Sequence, residues 1–86
     1  MPRYQVILVD RAAKALDALH PEARQRIGAK LEALAGNPRP PGVVRLVGDP
    51  AHYRVRVGDY RIVYTIRDQV LLVLILRVAH RREAYG

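Results

Sequence analysis

The sequence predicts an α+β fold, an N-terminal strand and a three-stranded antiparallel meander forming one twisted sheet with an antiparallel helical hairpin on one face. Three observations predict it. Two consecutive segments repeat apolar residues every three or four positions, as helices do. Three later segments alternate or run apolar in the manner of strands, and a short β-branched run precedes them all. The element order is β-α-α-β-β-β, with one domain spanning residues 1–86.

The first strand is the apolar run Tyr4 to Val9. Asp10 follows as the expected N-cap of a helix that carries Ala12, Ala13, Leu16 and Leu19 on one side. His20-Pro21 interrupts that pattern, and Pro21 suits the first turn of a second helix. There Ala23, Ile27, Leu31 and Leu34 recur at helical spacing. Gly36-Asn37-Pro38 ends this helix, and three prolines between Pro38 and Gly42 make a stiff loop.

Three strand-like runs follow: Tyr53 to Val57, Tyr60 to Arg67, and Val70 to Ala79. Gly58-Asp59 and Asp68-Gln69 separate them, so they read as a meander. A two-residue turn at Gly58-Asp59 pairs Val57 with Tyr60, Arg56 with Arg61, Val55 with Ile62 and Arg54 with Val63. Side chains alternate along a strand. Tyr53, Val55, Val57, Tyr60, Ile62 and Tyr64 therefore turn toward the helices, while Arg54, Arg56, Arg61 and Thr65 turn away. The result is a cationic floor backed by an apolar core.

Composition narrows the function. The net charge is +7 on 86 residues, and thirteen of the fifteen basic side chains are arginine, which points to a polyanionic partner. Arginine forks grip phosphate bidentately and stack on bases. There is no cysteine and there are three scattered histidines, so disulfide, thiolate and zinc chemistry lack the needed residues. No glycine-rich phosphate loop is present. The start lacks the apolar stretch of a signal peptide, and the longest apolar run, Val70 to Leu76, is too short to span a bilayer. The expectation is a soluble cytoplasmic protein that needs no cofactor.

The tail, Arg77-Val78-Ala79-His80-Arg81-Arg82-Glu83-Ala84-Tyr85, brings arginines, a histidine and a tyrosine together. Metal-free RNA cleavage needs cations to offset charge building on the phosphate, a group to activate the ribose 2′-hydroxyl, and a donor for the departing 5′-oxygen. Those side-chain types are all here. His20, before a proline, and His52, in a loop ahead of a strand, read as structural or incidental.

The run Tyr53-Arg54-Val55-Arg56-Val57-Gly58-Asp59-Tyr60-Arg61-Ile62-Val63-Tyr64, followed by Ile75 through Tyr85, resembles the RelE/ParE toxin superfamily, and its RelE branch most. The likeness covers almost the whole chain, including an Arg45-Leu46-Val47-Gly48 segment before the sheet. It implies the toxin of a type II toxin-antitoxin system, an endoribonuclease (mRNA interferase) that cuts mRNA in the ribosomal A site through 2′-hydroxyl attack, without metal. By family position Arg61 and Arg81 stabilise the phosphate and Tyr85 orients or stacks on the substrate. Arg54 and Arg56 stand where well-studied relatives carry two lysines, with Arg45 and Arg82 as further RNA contacts. Arginine does not release its proton in proteins. The expected general base is therefore His80, with Tyr85 the alternative.

The implied partners are the ribosome with its mRNA and a cognate antitoxin, in a complex that can be a heterotetramer binding operator DNA through the antitoxin. No C-terminal helix of the kind found in some relatives is expected after Gly86. Two alternatives stay open: a ParE-like gyrase inhibitor, and a catalytically degenerate co-repressor.

Overall fold

A computed structural model describes residues 3–48 and 51–82. Strand β1 (Gln5–Leu8) leads into helix α1 (Asp10–Asp17), and α2 (Pro21–Gly36) follows after a short link. Then come β2 (Val44–Leu46), β3 (His52–Val57), β4 (Tyr60–Arg67) and β5 (Leu72–His80). The sheet order is β1-β5-β4-β3-β2. The α+β reading holds, with two additions. The three-residue β2 pairs antiparallel with β3 as an edge strand, and β1 lies parallel to β5.

Helix starts differ in chemistry. Asp10 is the first residue of α1 rather than its cap; Val9 holds the cap position without a side-chain hydrogen bond. Its carboxylate still lies in the first turn, where it complements the helix dipole. At α2, Pro21 takes the first turn and His20 caps: its Nδ1 accepts the Glu22 amide at 3.3 Å. At the other end, Asn37 Oδ1 accepts from the Arg39 amide, and the Pro38 carbonyl accepts a 2.7 Å hydrogen bond from the Tyr64 hydroxyl. The proline loop is thereby tied to the middle of the sheet.

The core lies between the helices and one sheet face. Ala12 of α1 and Ile27, Leu31 and Leu34 of α2 pack with Val55, Ile62, Tyr64, Val73, Ile75 and Val78. Each fully buried aliphatic side chain here is worth about 1.5–3 kcal/mol in transfer free energy.

The β3–β4 register follows from the two-residue turn. Val57 meets Tyr60, Arg56 meets Arg61, Val55 meets Ile62, Arg54 meets Val63 and Tyr53 meets Tyr64. Between β4 and β5 the ladder slips. Val63 pairs with Arg77 and Tyr64 with Ile75, so Leu76 is an extra residue with no partner. One extra residue reverses the facing of everything beyond it. Val73 and Ile75 face the core before the bulge; after it Val78 does, and Arg77 turns to the open face. The link into β5 is a 3-10 turn at Asp68–Val70, closed by Leu71 in the left-handed region at φ 52°.

Candidate nucleic-acid interface

Alternation and register together define the face turned away from the helices. On it lie Arg54 and Arg56 from β3, Arg61 and Arg67 from β4, and Arg77 from β5. Arg56 and Arg61 stand directly opposite each other, with Ala79 across from Arg61 on β5. Arg56 is exposed, whereas Arg61 is only 7% exposed. Its guanidinium is thus held within the sheet surface rather than splayed into water. No carboxylate belongs to β3, β4 or β5, so this face attracts anions across its width.

Arg81 sits just past the end of β5. Its amide donates to the Asp59 carbonyl at 2.7 Å, and its guanidinium lies 3.9 Å from the Asp59 carboxylate. The start of the tail is therefore fastened to the turn between β3 and β4, at the edge of the arginine face. Arg82 is exposed beside it. Tyr85 lies outside the described residues.

Two expected members are elsewhere. His80 is the last residue of β5 and pairs with Tyr60, the rings meeting edge to face with centroids 5.4 Å apart. Tyr60 packs against the core, so His80 lies on the helix side, separated from the arginines by the sheet. The bulge at Leu76 causes this, since it inverts the facing of the end of β5. Its Nδ1 accepts the Arg82 amide at 3.3 Å. Arg45 pairs with Tyr53 in β2 and therefore also belongs to the helix-side face rather than beside Arg54.

The structure adds two residues. Arg77 reaches the open face only because of the bulge. His52 is the first residue of β3, not part of the preceding loop, and shares the open face with Arg54 and Arg56. The Leu46↔His52 pairing with the edge strand brings it into the sheet. The sequence signal was present, since His52 extends the alternation of Arg54 and Arg56 by one step.

The strongest shifts in proton affinity lie in another cluster. Arg39 grips Asp68 with both terminal nitrogens, at 3.1 and 2.8 Å, and Tyr4 donates its hydroxyl to the same carboxylate. The Arg39 guanidinium, and then the Tyr4 hydroxyl, hold the Asp68 carboxyl at about 2. The Asp68 hydrogen bond raises Tyr4, and it likewise raises Arg39. Burial pushes the Tyr64 phenol to about 12. Arg39 also stacks over Tyr53, which lies against Tyr64. This network joins the start of β1, the proline loop and the β4–β5 link, and its shifts express structural pairing rather than catalysis.

Among the described residues no group of His, Cys, Asp or Glu side chains is arranged to hold a metal. Among the described residues, too, no helix is long and apolar enough to cross a membrane.

The model of the family described as the ParE toxin of the type II toxin-antitoxin system parDE matches residues 6–85. The chain belongs to the RelE/ParE toxin superfamily. A relative in Methanocaldococcus jannaschii, provisionally named toxin RelE1, is 29% identical over 86 residues, covering 96% of each chain. The RelE–RelB complex of Pyrococcus horikoshii contains a similar chain with TM-score 0.84 and 29% identity, covering 95% of this toxin and 99% of that chain. The RelBE2 complex of Mycobacterium tuberculosis gives TM-score 0.80 and 30% identity, covering 92% and 99%. These likenesses place the toxin in the RelE branch of the superfamily.

Proposed function

We propose that this toxin is a ribosome-dependent mRNA endonuclease that works without a metal and is held in check by a cognate antitoxin. The observation that carries the reading is the opposed pair Arg56 and Arg61 on a carboxylate-free sheet face. Like charges placed opposite each other destabilise a strand pair by about 0.2–1 kcal/mol. A phosphate backbone lying across them converts that repulsion into attraction. In this reading Arg54 and Arg56 clamp the RNA, Arg77 and Arg82 extend the contact, and Arg61 and Arg81 stabilise the charge that builds on the scissile phosphate. Tyr85 orients or stacks on the substrate.

The RelE–RelB and RelBE2 structures hold toxin with antitoxin, and an acidic antitoxin segment suits the +7 charge of this chain. The same logic puts the toxin in the cytoplasm, beside the ribosome. One match favours a second reading: the family model is that of a ParE toxin, which suggests a gyrase inhibitor. The arginine face favours RNA.

Primer extension on an mRNA in a reconstituted translation reaction, with and without ribosomes, tests the proposal. Cuts within A-site codons that need ribosomes and disappear in Arg61→Ala and Arg81→Ala support it. Cleavage of naked RNA would remove the ribosome from the mechanism. Absence of cutting together with inhibition of gyrase supercoiling would replace it with the ParE-like activity, and silence in both assays would favour an antitoxin-bound co-repressor.

A further inference from the structure

We infer that His52 is the general base that activates the ribose 2′-hydroxyl, an assignment that rests on the nuclease reading above. A base has to release and regain a proton near neutral pH, and the guanidinium groups that dominate the open face cannot. Among the described residues of that face on β2 to β5, the remaining side chains are Thr65, aliphatic groups and the imidazole of His52. Imidazole alone in that set carries a ring nitrogen with a free lone pair able to accept a proton.

Placement agrees with chemistry. His52 and Arg54 are two residues apart on one strand, so their side chains rise from the same face about 6.6–6.8 Å apart. A ribose 2′-hydroxyl and its own 3′-phosphate are neighbours on one sugar. With the phosphate in the Arg54 fork, the hydroxyl comes within reach of the next side chain along the strand, and that is His52. On β2 His52 is in register with Leu46; on β4 the open-face positions beside it in the register are Val63 and the buried Thr65, with Arg67 the next cation. Arg54 is the charged neighbour on its own strand. No carboxylate faces it from these strands.

The other two histidines are committed elsewhere. Nδ1 of His20 accepts the Glu22 amide and Nδ1 of His80 accepts the Arg82 amide. His52 is half-buried at the start of β3, in register with Leu46 of the edge strand and on the same face as Arg54.

In the step itself, an unprotonated ring nitrogen of His52 takes the 2′-hydroxyl proton as the 2′-oxygen bonds to phosphorus. The bond from phosphorus to the 5′-oxygen breaks, and that oxygen takes a proton from water. The products are a 2′,3′-cyclic phosphate and a 5′-hydroxyl end. The imidazolium then returns its proton to the solvent, which restores the balance.

The test is single-turnover cleavage of mRNA on programmed ribosomes from about pH 5 to about pH 8. It compares the wild type, His52→Gln, His52→Ala and His80→Gln. His52→Gln is expected to cut about 10²- to 10⁴-fold more slowly and to lose the ascending limb of the profile, with thermal melting unchanged. Free imidazole restores part of the rate to His52→Ala, which a misfolded variant would not allow. His80→Gln keeps the limb. A wild type that cuts, with His52→Gln cutting equally fast on the same profile, overturns the assignment and leaves the nuclease reading intact. A wild type that cuts nothing overturns both.

Discussion

Arg56 and Arg61 occupy opposing positions on adjacent strands, one exposed and the other 7% exposed. Relieving the opposition should stabilise the free protein while weakening its grip on RNA. Arg56→Gln is expected to gain about 0.2–1 kcal/mol in a urea melt. The same variant should bind a short single-stranded RNA more weakly, its slope of log affinity against log salt shallower by about 0.7. An unchanged slope would mean that this side chain does not meet a phosphate.

The Asp68 clamp sets an acid limit. Its carboxyl titrates at about 2 in the folded chain, against an ordinary value of 3.8. A carboxyl with a lowered folded value contributes stability that is complete above 3.8 and fades as pH falls through about 2. Urea melts across that range should show wild type more stable than Asp68→Asn at pH 6, with the gap closing in the acid. A gap independent of pH would assign the clamp's contribution to shape rather than charge.

Tyr64 sets a matching limit in alkali. Its phenol titrates at about 12 when folded and near 10.0 when free. Folded stability from this group is whole below 10 and is lost as pH rises from there through about 12. Ultraviolet titration should therefore show late-ionising tyrosine, and Tyr64→Phe should remove the Tyr64 part of it while Tyr4, also raised by Asp68, still ionises late. Because the variant also leaves the Pro38 carbonyl without its 2.7 Å hydrogen bond, it should lose about 1–3 kcal/mol at neutral pH.

How far these features were legible in the sequence depends on the range of the contact. The β3–β4 pairing was readable because Gly58-Asp59 leaves room for one register, and the arginine face followed from it. The edge strand Val44–Leu46 is too short to show alternation, and the parallel pairing of β1 with β5 joins the two ends of the fold without any local turn to announce it. His52 was lost to a strand boundary one residue too late. His80 was misplaced because the sequence gives no sign that Leu76 stands outside the ladder. The Arg39–Asp68 fork spans 29 positions and leaves no pattern at all.

Gly58 offers a test of the turn that fixes the register. Its φ of +58° lies in the left-handed region, and a Cβ there would come within 3.2 Å of the Arg26 guanidinium. The flexible arginine can yield, but the backbone penalty stays. Gly58→Ala should lose about 1–2 kcal/mol, a fall in melting temperature of about 4–8 °C per kcal/mol for a domain of this size. If the melt does not move, the turn adopts another conformation in solution.

The unpartnered Leu76 gives the last strand two phases, one for each half. Residues before it are sorted between core and solvent by one parity, and residues after it by the other. The identity of the open-face side chains in that half is therefore set by the bulge as much as by residue type. Deleting Leu76 would let Arg77 follow Ile75 directly, so that plain alternation keeps Arg77 on the open face and Val78 in the core. The bulge thus absorbs one surplus residue, and it is the bulge that keeps the cation and the core group sorted on either side of the sheet.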